Sequence, residues 1–542
     1  METDYDVVII GGALAGASMG LLLRRERPDA RVLIVERSTA FDFKVGESTS
    51  EIAGAFLTRV LRIGSWLSRE QIAKNGLRFW FTSPGNDCLG RCAEIGPKLQ
   101  VRLPAYQLDR AKLDTHVLDL ARQSGCEVRR PAVIRNLELN GVGANRATLT
   151  ENGIETSITA KWIVDASGRA AVIARHRGTL QNLSDHPTAS LWCRFTGVAD
   201  LDAHELIEKH PGLARRVWSQ RSTATNHLTG DGWWAWIIPL QGGEVSVGIT
   251  WDRRIFEMPT AGSIPDRLRG VLMEHPVGKY LMEHAVAVEE DARSYGTVAY
   301  QNTEVTGDGW ATVGDSSGFM DPLYSHGIDF IGNTVWAVSR LILDSLSGND
   351  VSEKVAAYDV NYRESYSRWF RALYKDKYYY LGDAELMNAA VLLDVACYFV
   401  GPVRMVWADH QKELCSLPYG GPIGSAFGKF MAFYNRRFVH LAAKRRANGT
   451  FGRRNVDHQF IFRDSFQPSF AVRNLLFDGL KAWARLEVSA LFARRPATDP
   501  AATPAAPKPV MPPTAAAAAP ATAYHSAPAP LPASPAMPLS VP

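Results

Sequence analysis

An apolar run rich in β-branched residues, Tyr5–Ile10, leads without a break into Gly11-Gly12-Ala13-Leu14-Ala15-Gly16, and residues 15–25 continue at helical spacing. A strand that ends on glycine and turns at once into a helix points the first helical amides outward, where they can hold a pyrophosphate. Gly11 permits the tight turn, and Ala13 stands where the strictest form of this loop has its second glycine. Residues 31–35 read as a second short strand, closed by Glu36 about twenty residues beyond Gly16. The opening therefore predicts a parallel α/β sheet and a dinucleotide. Gly11, Gly12, Ala13, Ala15 and Gly16 fall at the phosphates, and Glu36 at the ribose hydroxyls.

At 542 residues the chain exceeds one ordinary core, so two or three subdomains are expected. Of its 30 prolines, 14 lie in residues 496–542, an Ala/Pro-rich tail that cannot bury a core and is expected to be disordered. The balance of 60 basic against 56 acidic residues gives no case for nucleic acid. The acidic start, Met1-Glu2-Thr3-Asp4, does not read as a signal peptide. The apolar stretch 386–403 is broken by Asp394, Gly401 and Pro402, so it reads as a buried helix rather than a transmembrane segment. Six scattered cysteines, with Cys88 and Cys92 a lone pair and Cys415 the last, suggest reduced thiols, a cytoplasmic location and no metal site.

Further along, Leu108, Leu113, Val117, Leu118 and Leu120 mark a helix over 108–123. Strands follow at 162–164, in several segments between 190 and 247, and at a run ending on Val313. A helix is read at 331–346, and the remainder to about 494 is mostly helical and aromatic-rich. Two further turns close strands: Val164-Asp165-Ala166-Ser167-Gly168-Arg169, and Gly314-Asp315-Ser316-Ser317-Gly318-Phe319 before Asp321-Pro322.

With these turns in this order, residues 4–346 resemble the FAD-binding family of aromatic hydroxylases, halogenases and geranylgeranyl-reductase-like enzymes, whose fold para-hydroxybenzoate hydroxylase typifies. The resemblance implies a Rossmann-like FAD domain of that type over 1–180 and 290–346. It also implies an interleaved β-rich substrate domain over 181–289, to which 46–100 contribute, and a C-terminal helical region over 347–495. Asp165, Gly314, Asp315 and Pro322 would touch FAD, with Arg110 of Tyr106-x-Leu108-Asp109-Arg110.

Trp234-Ala235-Trp236-Ile237-Ile238-Pro239 resembles the W-x-W-x-I-P signature of the flavin-dependent halogenases. Period-2 spacing puts both indoles on one face of a strand, and the family places them beside the passage between flavin and substrate. Asp321-Pro322-Leu323-Tyr324-Ser325-His326-Gly327 resembles the family's D-P-x-x-S-x-G, whose turn amides hold chloride or bromide, here at Ser325, His326 and Gly327. Gly46-Glu47-Ser48 resembles its G-E-S near the flavin ring, and Lys44 just before it suggests flavin contact. Lys74, in Lys74-Asn75-Gly76-Leu77-Arg78-Phe79-Trp80, resembles the catalytic lysine that directs hypohalous acid to an aromatic ring. Burial near Phe79 and Trp80 should lower its pKa.

Tyr324 stands where tryptophan halogenases carry a glutamate, and His326 replaces a Thr or Ser. The resemblance thus points to the branch acting on phenols, pyrroles or carrier-protein-bound groups. His326 could act as a base, tune the flavin, or only pack. A partner flavin reductase is implied, since no separate NAD(P)H loop is evident. Seven basic residues (Arg436, Arg437, Lys444, Arg445, Arg446, Arg453 and Arg454) form either a solvated face or a dock for an acidic carrier protein or a membrane surface. The alternatives are an FAD monooxygenase or geranylgeranyl-reductase-like oxidoreductase without halogenation, or a flavin-binding scaffold.

Overall fold

Val7, Val8 and Ile9 are all fully buried, because the strand Tyr5–Ile10 is covered on both faces. It pairs in parallel with Val32–Val35 on one side and Ile154–Asp165 on the other, and the latter pairs in parallel with Trp310–Thr312. Glu127–Arg129 adds a further parallel strand at one edge. The register sets Ile10 opposite both Val35 and Asp165. The loops that follow these strands therefore open on one end of the sheet, the binding end of a doubly wound fold. The computed structural model describes residues 3–408, 420–463 and 472–492. Cys415 and the tail 496–542 lie outside the described residues.

A second, mixed sheet has eight strands in the order Val286–Tyr295, Thr188–Thr196, Val245–Asp252, Trp233–Pro239, Thr225–Gly230, Leu77–Phe81, Ala93–Pro97 and Gln459–Phe462. Residues from 77–97 thus extend the sheet built by residues 188–295. The last strand comes from the C-terminal part, where the sequence reads as helical. Along Trp233–Pro239 the faces alternate: Trp234, Trp236 and Ile238 join the largest core, while Ala235 and Ile237 pack in a separate one. The two sheets belong to one compact unit, Met1–Ala493.

One helix boundary differs from the sequence reading. The helix expected from residue 331 begins a turn earlier, at Gly327, so the Ser-x-Gly turn is its N-terminus. Among the described residues, six of the seven in the basic run, all but Arg436, are paired within the chain, while Arg437, Arg446, Arg453 and Arg454 stay partly exposed. Arg437 pairs with Glu487, Arg445 with Asp383 and Glu385, Arg446 with Asp231, and Arg453 and Arg454 with Glu385. Lys444 donates to the Ala490 carbonyl. The apolar helix Ala384–Tyr398 leads into the segment ending at Trp407; this stretch is long and apolar enough to cross a bilayer, yet is 78% buried inside the protein.

Candidate active site

An outer cleft opens where the first sheet's loops meet the second sheet. Gly11, Gly12, Gly16 and Glu36 do not line it but shape the loop behind its wall: Gly11 adopts φ +101°, and a Cβ there would meet the Ala166 carbonyl oxygen at 2.6 Å. A Cβ on Gly16 would likewise collide with the Gly11 carbonyl, so both glycines keep strand, turn and helix in contact. Ala13, Leu14 and Ala15, at the start of the helix Leu14–Glu26, line the cleft. The Gly12 amide donates to Glu36 at 2.7 Å, and Ser38 donates to the other carboxylate oxygen through its amide and hydroxyl. Burial raises the Glu36 pKa, but these hydrogen bonds outweigh it and hold the carboxyl below its ordinary value. Glu36 braces the loop, while its neighbour Arg37 reaches the cleft wall.

Opposite, Lys44, Gly46, Glu47, Ser48, Arg110, Asp315 and Pro322 line the same cleft. Arg110 pairs with Asp114 at 3.0 Å and donates to the Val45 carbonyl, and a Cβ on Gly46 would strike its guanidinium. Glu47 is buried against Arg194 at 2.9 Å; burial pushes its carboxyl up to about 7 despite that partner. Asp165 and Gly314 do not line the cleft. The Asp165 carboxylate accepts from the amides of Ser167 and Ile173, so it shapes its turn instead of touching a ligand. Ser167, Gly168 and Arg169 form the wall in its place. A long cleft with a helix start at one end and cations along its side fits FAD.

Trp234 and Trp236 also line this cleft, 5.7 Å apart between ring centroids. Trp234 donates to the Tyr378 hydroxyl at 2.9 Å and Trp236 to the Ser246 hydroxyl at 3.2 Å, so each indole is locked. Gly248 lies opposite Trp236 on the next strand, and a Cβ there would run into its indole.

Behind the cleft lies a second, inner chamber, lined in part by Lys74, Glu51, Tyr324, His326, Asp394 and Tyr398. Three consecutive residues divide between the two spaces. Ser325 faces the cleft, while Tyr324 and His326 face the chamber. Ser325 achieves this at φ +62°, a left-handed conformation rare for a side-chain-bearing residue. Lys74 lies at the partition: its ammonium donates to the Thr49 carbonyl at 2.6 Å and to the Ser325 hydroxyl at 3.5 Å. Ser325 in turn donates to Ser48 at 3.2 Å. Burial lowers the Lys74 pKa to about 8, against the pull of Glu51 and Asp329. Gly327 and Ile328, at the helix start beside Ser325, line the cleft side.

His326 is buried, and burial together with the Lys74 charge drives its pKa down to about 3. Its Nδ1 lies 2.7 Å from the Tyr374 hydroxyl and accepts from the Trp369 indole N–H at 3.2 Å. An indole nitrogen can only donate, so the proton of the neutral ring belongs on Nε2. That arrangement makes His326 a neutral hydrogen-bonding wall rather than a base.

Several chamber residues carry little signal in the sequence. Glu51, after Ser50, reads as an ordinary helix-start acid. Asp394 accepts from Tyr324 at 2.8 Å, from Lys377 at 2.6 Å and from Tyr434. Its signal was a carboxylate inside an otherwise apolar helix. Tyr374 and Tyr378 belong to the aromatic-rich C-terminal part: the Tyr374 hydroxyl meets His326, and the Tyr378 hydroxyl accepts from Trp234 and donates to Asp321.

The family profile described as tryptophan halogenase matches residues 91–379. A flavin-dependent halogenase of Dictyostelium discoideum is 25% identical over 431 residues, covering 73% of this chain and 69% of that protein. A 1H-pyrrole-2-carbonyl-[peptidyl-carrier protein] chlorinase of Pseudomonas fluorescens is 24% identical over 455 residues, 78% of this chain and 95% of that one. The crystal structure of the halogenase PltM in complex with phloroglucinol and FAD shares the fold, with a TM-score of 0.70 at 18% identity, over 89% of this chain and 98% of PltM.

Proposed function

The chain belongs to the tryptophan halogenase family, and from that premise we propose that it is a flavin-dependent halogenase of electron-rich aromatic substrates other than tryptophan. The helix start at Ala13–Ala15, with Arg37, Arg110, Lys44 and Arg169, would hold FAD in the outer cleft. Bound and reduced, FAD supplies, with dioxygen, the two-electron oxidation of halide to hypohalous acid. The helix start at Gly327 and Ile328, beside Ser325, offers N–H donors for chloride or bromide on the cleft side of the partition. Trp234 and Trp236 wall the cleft at the same place. Lys74 reaches Ser325 from the chamber side, so its ammonium can receive hypohalous acid by hydrogen bonding and present the halogen to a ring in the chamber.

The observation that carries this reading is the Lys74–Ser325 contact at the wall between two separate spaces, one lined as for a dinucleotide and the other lined largely by apolar and aromatic side chains. A chamber separated from the cofactor suits attack by a reagent that travels. Direct oxygen transfer would need substrate and flavin in one space. The relatives place phenolic or carrier-bound pyrrole rings within reach of this family, and an aromatic substrate, free or carrier-bound, is the partner expected here. A separate flavin reductase in the cytoplasm would supply reduced FAD.

The test incubates the protein with reduced FAD, oxygen and chloride or bromide against free and carrier-bound phenols and pyrroles, with products read by mass spectrometry. Halogenated product from wild type, lost in Lys74→Ala, supports the reading. Oxygenated product at equal rate without halide, or no halogenated product from any substrate, overturns it.

A further inference from the structure

Glu51 shares the inner chamber with Lys74 and has no part in the scheme above. It opens the short helix Glu51–Ala55, after the N-cap Ser50. Its side chain lines the chamber, is 9% exposed, and has no cation within ion-pair distance among the described residues. The groups that face it are Lys74, Asp329 and Tyr398, with His326 across the chamber. Asp329 does not line the chamber: one of its oxygens accepts from Ser50 and from the Ala53 amide, the other is buried without a partner among the described residues, and burial holds its carboxyl well above the usual range. His326 is neutral, as described. Leu77, Ala105, Leu373, Val395 and Phe399 give the chamber an apolar wall beside the polar Thr49, Ser50, Tyr324 and Asp394. Among the described residues Glu51 holds only a backbone amide and the Tyr398 hydroxyl, with no cation paired to it; Asp394, which also lines the chamber, is already fixed by Lys377 and two tyrosines.

We propose that Glu51 is a catalytic base of the halogenation, that it takes the hydroxyl proton of the substrate, and that the chamber accordingly selects phenols. The inference rests on the halogenase reading. In the step, Glu51 carboxylate takes the phenol O–H proton. The phenolate ring carbon forms a bond to halogen as the halogen–oxygen bond of hypohalous acid breaks. The departing hydroxide takes a proton from the Lys74 ammonium and leaves as water. The ring's C–H proton then passes to neutral Lys74, the ring oxygen recovers its proton from Glu51, and both side chains return to their starting states. Burial raises the Glu51 pKa, partly offset by a backbone amide, the Lys74 charge and the Tyr398 hydroxyl, and so makes the carboxylate a stronger base than an exposed one.

The experiment compares wild type, Glu51→Gln and Glu51→Asp, each as the FAD-loaded full chain. The substrates are the best phenol from the panel and its O-methyl ether, which has no hydroxyl proton to lose. The expected result is a kcat for the phenol about 100-fold lower in Glu51→Gln, the usual worth of a general base. Glu51→Asp should lie between, and, with assays held well below the Lys74 pKa of about 8, the loss on the methyl ether should be far smaller than the loss on the phenol, so that the phenol-to-ether rate ratio falls. An equal loss on phenol and ether would mean that Glu51 only supports the fold or Lys74, and would overturn the inference. So would a wild type that halogenates pyrroles but no phenol. A wild type that makes no halogenated product at all overturns the halogenase reading itself, and this inference with it.

Discussion

Replacing Lys74 with alanine removes the ammonium at the partition, so halogenated product should fall at least about 100-fold. Flavin oxidation should continue, because the cleft wall on the other side stays intact; product and flavin absorbance measured together would show the split. Lys74 titrates near 8 through burial. Its ammonium form is complete below that value, so turnover that depends on the ammonium should fall as pH rises through about 8. Lys74→Arg should lack that limb, since guanidinium stays charged. His326, with its pKa near 3, should leave no limb near 6.5 in the wild-type profile. The profile of His326→Gln, which keeps a donor, should have the same shape.

Strand pairing controls what the signature residues can do. The Trp236 indole lies over Gly248 of the adjacent strand, where no side chain fits. Gly248→Ala should push the indole toward the flavin, costing about 1–3 kcal/mol of stability and weakening FAD binding, as read by flavin fluorescence titration. In the same sheet, Glu94 is fully buried between Arg78 at 2.7 Å and Arg221 at 2.9 Å. Burial raises its pKa, but the two guanidinium groups outweigh this and hold it below its ordinary 4.5. Its stabilising contribution is present above that value and lost as pH falls through the depressed one. Glu94→Gln leaves two buried arginines without their anion and should cost about 3–5 kcal/mol in urea unfolding.

Period-2 spacing was enough to place Trp234 and Trp236 on one face, because alternation is a property of the strand alone. Their Gly248 slot and Tyr378 anchor were not legible, since both depend on pairing across chain segments. The same distinction holds for the chamber. Lys74 carries a motif and Asp394 stands out as a carboxylate in an apolar helix, whereas Glu51 looks like a routine helix-start acid; only tertiary packing brings the two carboxylates beside Lys74.

At the scale of the molecule, the opening strand, glycine turn and Glu36 sufficed to foresee the parallel sheet, because that geometry is local. The strand Gln459–Phe462 escaped notice, being short and paired with a segment some 360 residues earlier, Ala93–Pro97. The ion pairing of the basic run is not legible for a related reason: its acidic partners, such as Asp231 and Glu385, are remote in sequence. A chain ended at residue 493 should keep wild-type thermal stability and turnover on free aromatic substrates, as checked by calorimetry and product assay. The Ala/Pro-rich composition beyond it supplies no core.

The inner chamber holds Tyr324 and Tyr398 in its wall, and both carry the kind of ring that the reagent attacks. When no substrate fills the space, each idle cycle delivers oxidant to the protein's own phenols. The number of turnovers before inactivation is then governed by occupancy as much as by folding stability. Enzyme run without substrate should gain halogen on these tyrosines, a mass increment visible in tryptic peptides, and saturating substrate should suppress it. The chamber that confers selectivity thereby also sets the catalyst's working lifespan.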